Sequence, residues 1–195
     1  PVTSFVLPPQ ALPSNLFGQR PSDFSFVDLQ GERINRDAFS GTVTVLMWFY
    51  EHPACRASLE QLSRVYQARY RGERRIAVHA VCTEPTTRSH EDIRRCVQSW
   101  GVELPLLRDL DACGRDVFQI KGAPTLVVLD AKGTVQIVEV GANPHLAEQL
   151  PTVLDRLLAG ADLAGEILAR HRQQTVQYAN DITAAQQAHP SPSST

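Results

Sequence analysis

Apolar positions along this chain fall into continuous or alternating runs and into stretches spaced three or four apart. Their order predicts an α/β fold. Residues 42–49 are rich in Val, Leu, Met and aromatic side chains, a run long enough for a strand buried on both faces. Pro53 then stands where a first helical residue belongs, and Leu59, Leu62, Tyr66 and Tyr70 follow at helical spacing on one face. Upstream, residues 24–29 read as a strand, Gly31 turns the chain and Ile34 returns it, which predicts an N-terminal β-hairpin. Downstream, 75–82 reads as a strand and 89–100 as a helix, with Ser89 as N-cap, Glu91 and Asp92 in its first turn, and Ile93, Val97 and Trp100 inward. A short strand over 104–107 and a short helix over 112–118 lead to two strands, 126–129 and 135–140, joined by the turn Asp130-Ala131-Lys132-Gly133. Asn143-Pro144 predicts the start of a helix with Leu146, Leu150, Val153, Leu154 and Leu157 as its stripe, Pro151 as a kink or restart, and Gly160 as its stop. Residues 161–183 read as a further helix.

This pattern divides the chain into a proline-rich lead-in or tether at 1–20, one domain at 21–160, and a C-terminal helix with a Pro- and Ser-rich linker or disordered end at 161–195. A chain of 195 residues, 43% of them hydrophobic, supports a substantial core without disulfide staples. The formal net charge of -2 gives no reason to expect nucleic acid as a partner. Arg69, Arg71, Arg74 and Arg75 cluster at a helix end and loop, where a solvated surface explains them. No apolar run reaches the roughly 20 residues of a membrane span, and no signal peptide is present. The start at Pro1, without methionine, points to an upstream segment that has been removed.

The run 42–49 feeds directly into a helix N-terminus and places Cys55 in the first turn. Unpaired amides and the helix dipole there favour a thiolate, so sulfur chemistry is expected. Cys55 also shares the inward face of Leu59, which predicts a half-buried thiol and leaves a structural and a functional reading open. Cys82 ends a strand expected beside and parallel to the first, which makes it the second thiol candidate. Cys96 reads as packing, and Cys113, opening a short helix, as open to solvent. Four cysteines permit three complete pairings, and the spacing chooses none. His52 is an N-cap accepting a backbone N–H, or a base for Cys55 three residues on. His52-x-x-Cys55 and His79-x-x-Cys82 together resemble a ligand set, but His79 and Cys82 face opposite sides of a strand, so no metal is expected and His79 reads as a core histidine. No pattern asks for a cofactor. Tyr50 and Glu51 flank the turn and shape a cleft.

The segments 23–32, Phe39-Ser40-Gly41, the strand followed by His52-Pro53-Ala54-Cys55, and Lys121-Gly122-Ala123-Pro124-Thr125 with the strand and turn after it occur in an order that resembles the redoxin branch of the thioredoxin superfamily. The nearest likeness is to TlpA/ResA-type thiol-disulfide oxidoreductases, over about 21–160. The resemblance implies a thioredoxin-like fold, a central mixed β-sheet with helices on both faces. It implies Pro124 as a cis-proline beside the active site, and a groove around Trp48, Tyr50, Ala123 and Pro124 for a protein thiol or extended polypeptide. It also implies an exported, periplasmic or membrane-tethered setting. Against the family's C-x-x-C, His52 replaces the attacking cysteine and Cys55 is the resolver. The buried acid six residues before the attacker is Leu46. Dithiol exchange is therefore expected to be weak or absent, which leaves a thiol redox protein relying on Cys55 and His52 or a redox-inactive polypeptide-binding module. A third reading is a one-cysteine peroxidase with antioxidant activity: peroxiredoxins share the fold and place their reactive cysteine at the Cys55 position, but the proline they carry seven residues earlier is Trp48.

Overall fold

The computed structural model describes residues 7–188. The first six residues of the lead-in, and the Pro- and Ser-rich end beyond 188, lie outside them. The chain divides into a body of residues 13–164 and a second unit made of the segments up to 12 and from 165 onward.

Seven strands build the body: β1 (Ser25–Asp28), β2 (Arg33–Asn35), β3 (Val43–Phe49), β4 (Ile76–Cys82), β5 (Leu106–Arg108), β6 (Thr125–Leu129) and β7 (Val135–Val140). They form one mixed sheet in the order β2-β1-β5-β4-β3-β6-β7. All seven residues of β3 are buried, Thr44 included, as its largely apolar run requires of a central strand. β3 runs parallel to β4, from Val43 opposite Ile76 to Phe49 opposite Cys82, and antiparallel to β6. Parallel neighbours need a crossover, and helix α1 (Pro53–Val65) supplies it.

The pleat of β3 sorts its side chains into two layers. Val43, Val45, Met47 and Phe49 join Leu59 and Leu62 of α1, Ile93 and Val97 of α2 (His90–Ser99), and Leu150 and Leu154 of α4 (Leu146–Leu158) in one buried cluster. Trp48 points the other way, with its ring 6.0 Å from Phe26 and 4.9 Å from Phe118. That second layer is closed by the one-turn helix α3 (Cys113–Asp116) and the 3₁₀ turn Arg36–Phe39, where Phe39 stacks on Phe24 at 5.9 Å. Helices on both faces of a mixed sheet, with an N-terminal hairpin, are the thioredoxin-like arrangement.

Local signals account for the element ends. Ser89 caps α2 by accepting from Asp92 N at 3.1 Å. Gly160, at φ 84, ends α4: its N–H donates to Leu157 O, and that of Ala161 to Arg156 O, each at 3.0 Å, a Schellman closure. α1 stops at Val65 and the chain continues as a single π turn over Tyr66–Tyr70. α4 does not restart at Pro151, because buried Leu150 and Leu154 hold its inward stripe on both sides of the proline. Its N-cap is His145 rather than Asn143, whose Oδ1 instead accepts from His145 N at 2.8 Å.

Residues 13–20 belong to the body. Gly18 N donates to Val135 O at 2.8 Å and Val135 N to Gln19 O at 2.9 Å, while Leu16 and Phe17 are buried. The basic cluster is solvated and paired, with Arg69 on Asp155 at 3.0 Å and Arg75 on Glu73 at 2.9 Å. The last helix, α5 (Leu163–Ala188), begins with two buried residues, Leu163 and Ala164, and runs beyond the expected end at 183. Its later part carries its own exposed side-chain bonds, such as Gln177 to Asp181 at 2.7 Å. No helix among the described residues is long and apolar enough to cross a membrane.

Candidate functional site

The site lies where β3 hands over to α1. His52 is the N-cap: its backbone is extended and its Nδ1 accepts from Ala54 N at 3.2 Å, with Pro53 as the first helical residue. The ring is exposed and sits 5.6 Å from that of Tyr50. The nitrogen facing the helix is thus engaged in capping, and among the described residues no hydrogen bond joins His52 to Cys55. Glu51 anchors the turn from outside, its N–H donating to Glu84 Oε1 at 2.8 Å and its carboxylate pairing with Arg88 at 2.5 Å.

Cys55 has no exposed surface, where the spacing predicted half burial. Burial pushes its thiol above the usual range, against a smaller lowering by the backbone hydrogen bond from Tyr50. Desolvation thus opposes the thiolate that the helix N-terminus favours. Cys82 stands opposite Phe49 in the same buried cluster and is pushed to about 11, again chiefly by burial. All four cysteines are free thiols. Cys113 is buried rather than open to solvent, because its Sγ donates to Ser25 O at 3.4 Å beneath the hairpin. Cys96 alone is partly exposed.

Beside the turn opens a pocket of about 330 Å³ that gathers Trp48, Tyr50 and Ala123. Pro124 is buried behind it, joined to Ala123 by a cis peptide bond. Trp48 has no exposed surface, so it is the floor of this groove and not an open contact. Its Nε1 donates to Asp109 Oδ2 at 3.1 Å, and the same carboxylate accepts from Cys113 N at 2.7 Å and Gly114 N at 2.6 Å. Asp109 thereby ties the floor to α3. Thr83, Asp109 and Lys121 also line the pocket and were not singled out as site residues from the sequence. The one available signal was their place at the ends of strands or in the loop before Pro124.

The close fit of floor and helix makes Gly114 sensitive. A Cβ there would lie 2.5 Å from Trp48 Nε1 and 2.6 Å from Asp109 Oδ2. Gly114→Ala is expected to cost about 1–3 kcal/mol by overpacking, read as a lower urea midpoint at unchanged slope.

His79 lies away from this turn, at the middle of β4, with its ring edge-on to Phe39 at 5.4 Å. Burial lowers its pKa to about 4. In the unfolded chain the imidazole protonates near 6.5, so between about pH 6.5 and 4 the unfolded state binds more protons and stability is lost as the pH is lowered. The loss through this group reaches up to about 3 kcal/mol. Unfolding titrations across that window should show a steeper slope in the parent than in His79→Phe. Among the described residues no three of His, Cys, Asp and Glu gather as a metal site.

Comparison with known proteins agrees with this geometry. The family described as AhpC/TSA matches residues 17–138. Thioredoxin-like protein YneN of Bacillus subtilis (strain 168) is 28% identical over 125 residues, which are 64% of this chain and 71% of that protein. The crystal structure of StoA from Bacillus subtilis superposes with a TM-score of 0.56 at 21% identity, covering 68% of this chain and 96% of StoA. The thioredoxin domain of a thiol-disulfide oxidoreductase from Bacteroides vulgatus does so with a TM-score of 0.60 at 18% identity, covering 72% and 99%.

Proposed function

The chain belongs to the AhpC/TSA family, among its thiol-disulfide oxidoreductase-like redoxins, and from that premise we propose that it has kept the polypeptide groove of its fold and lost the dithiol cycle. One observation carries this reading: at the turn the exposed position is His52 and the only thiol, Cys55, has no exposed surface. Exchange begins with a thiolate attacking a substrate disulfide. An imidazole cannot form that mixed disulfide, and a desolvated thiol without surface cannot reach one. What remains is the groove of Tyr50, Ala123 and Lys121 over a fixed floor, suited to an extended segment of a protein-thiol or unfolded polypeptide. The likeness to TlpA/ResA-type proteins supports an exported, periplasmic or membrane-tethered setting.

The test compares the full chain with Cys55→Ser. Insulin disulfide reduction and hydroperoxide consumption are expected at background in both, while both bind reduced, carboxymethylated α-lactalbumin and Ala123→Arg does not. Under iodoacetamide near neutral pH, Cys96 should be labelled first, with Cys55, Cys82 and Cys113 labelled only on unfolding. Insulin reduction at thioredoxin-like rates that disappears in Cys55→Ser would overturn the proposal. A second reading rests on the Tyr50 backbone hydrogen bond to Cys55, which favours a thiolate. Oxidation of Cys55 to a sulfenic acid by hydroperoxide, slowed in His52→Ala, would establish one-cysteine peroxidase chemistry instead.

A further inference from the structure

The largest pocket among those described, about 680 Å³, is unrelated to the turn. β5 covers β4 only at Ala80, Val81 and Cys82. The first half of β4 is left open on that edge, and the pocket enters there, at the end of the strand opposite Cys82. Its size is that of small-molecule sites. Leu29, Ile34, Phe39, Val97, Leu104 and Leu106 make its apolar walls.

The charged groups at its border are already partnered within the chain. Arg71 donates to Gln67 Oε1 at 2.9 Å and lies 3.8 Å from Glu103, and Arg94 donates to Glu91 at 2.6 Å. Asp28 Oδ1 accepts from Gln30 N and Glu32 N, both at 2.8 Å. Each of these groups already has a hydrogen-bond or ion-pair partner of its own. The pocket does offer an unpartnered imidazole: His79 lines the pocket, and its Nδ1 is buried with no hydrogen-bond partner. A sealed bare lone pair costs less than a sealed N–H, which places the proton on Nε2. Nε2 is not among the sealed atoms, so it is the nitrogen the pocket can address.

We propose that this pocket is a binding site for a neutral, largely apolar molecule with one hydrogen-bond acceptor, of the aryl ketone class, whose carbonyl accepts from His79 Nε2. The ring of such a ligand lies against Phe39 and the leucines, and its carbonyl meets the N–H of Nε2, leaving Nδ1 as the sealed lone pair. Burial keeps the imidazole neutral near pH 7, as this donor and acceptor pairing requires.

The experiment titrates the full chain with 2-acetylnaphthalene and with 2-isopropylnaphthalene, which has similar shape and no acceptor. The readouts are the imidazole nitrogen signals of His79 in the unaltered chain and the dissociation constants of both probes. The ketone should shift the Nε2 signal saturably and bind about tenfold or more tighter than the hydrocarbon, a difference of about 1.4 kcal/mol. His79→Phe, folded by circular dichroism, should bind both alike. If that variant does not fold, the Nε2 shift in the unaltered chain decides. No saturable shift, equal affinities in the parent, or a ketone preference surviving in His79→Phe would each overturn the proposal.

Discussion

His52→Cys is expected to turn a chain with background activity into one that reduces insulin disulfides at a measurable rate. The position is exposed at the start of α1, while Cys55, three residues on, is buried on the inward face, so the substitution supplies the attacking sulfur that the resolver lacks. Removal of the imidazole cap costs α1 about 0.5–2 kcal/mol, which a helix packed on β3 and α4 tolerates. Full thioredoxin-like rates are not expected, because the position six residues before His52 is Leu46, fully buried and unable to accept the proton of Cys55. With that thiol raised by burial, turnover should climb with pH. Insulin turbidity with dithiothreitol and a thiol titration before and after oxidation check it. The double substitution His52→Cys with Cys55→Ser should return to background. A variant that is folded, oxidises no thiol pair and stays at background would refute this account of the turn.

Trp48→Ala is expected to be the most destabilising single change in the body, at about 3–5 kcal/mol. The ring has no exposed surface, packs on Phe26 and Phe118, and donates to Asp109. Its removal opens a cavity in one layer of the sheet and weakens the carboxylate that orders α3. Trp48→Phe separates the two contributions: it keeps most of the apolar packing and loses the Nε1 hydrogen bond, for about 1–3 kcal/mol. Chemical unfolding followed by circular dichroism measures both. Equal midpoints for Trp48→Phe and the parent would show that the link to Asp109 contributes nothing to stability.

Sequence alone determined what depends on one element and its ends. The largely apolar run of β3, Pro53 at the head of α1, the Ser89 cap and the Gly160 stop are local signals, and the structure places an element or an end at each. The order of those elements, with the motifs around His52-Pro53-Ala54-Cys55 and Ala123-Pro124, also sufficed for the family and the fold. The helical spacing put Cys55 on the inward side of α1, but how deeply it is buried depends on β4 and α4 closing over that face, so its raised thiol was not legible. Cys113 reversed from exposed to buried because Ser25, 88 residues away, offers it a carbonyl. Asp109 beneath Trp48, Lys121 at the groove and the pocket against His79 likewise come from segments distant in the chain. Periodicity reports which face of an element is apolar. Which residues meet across faces is set by strand register and helix packing, and only the tertiary structure decides that.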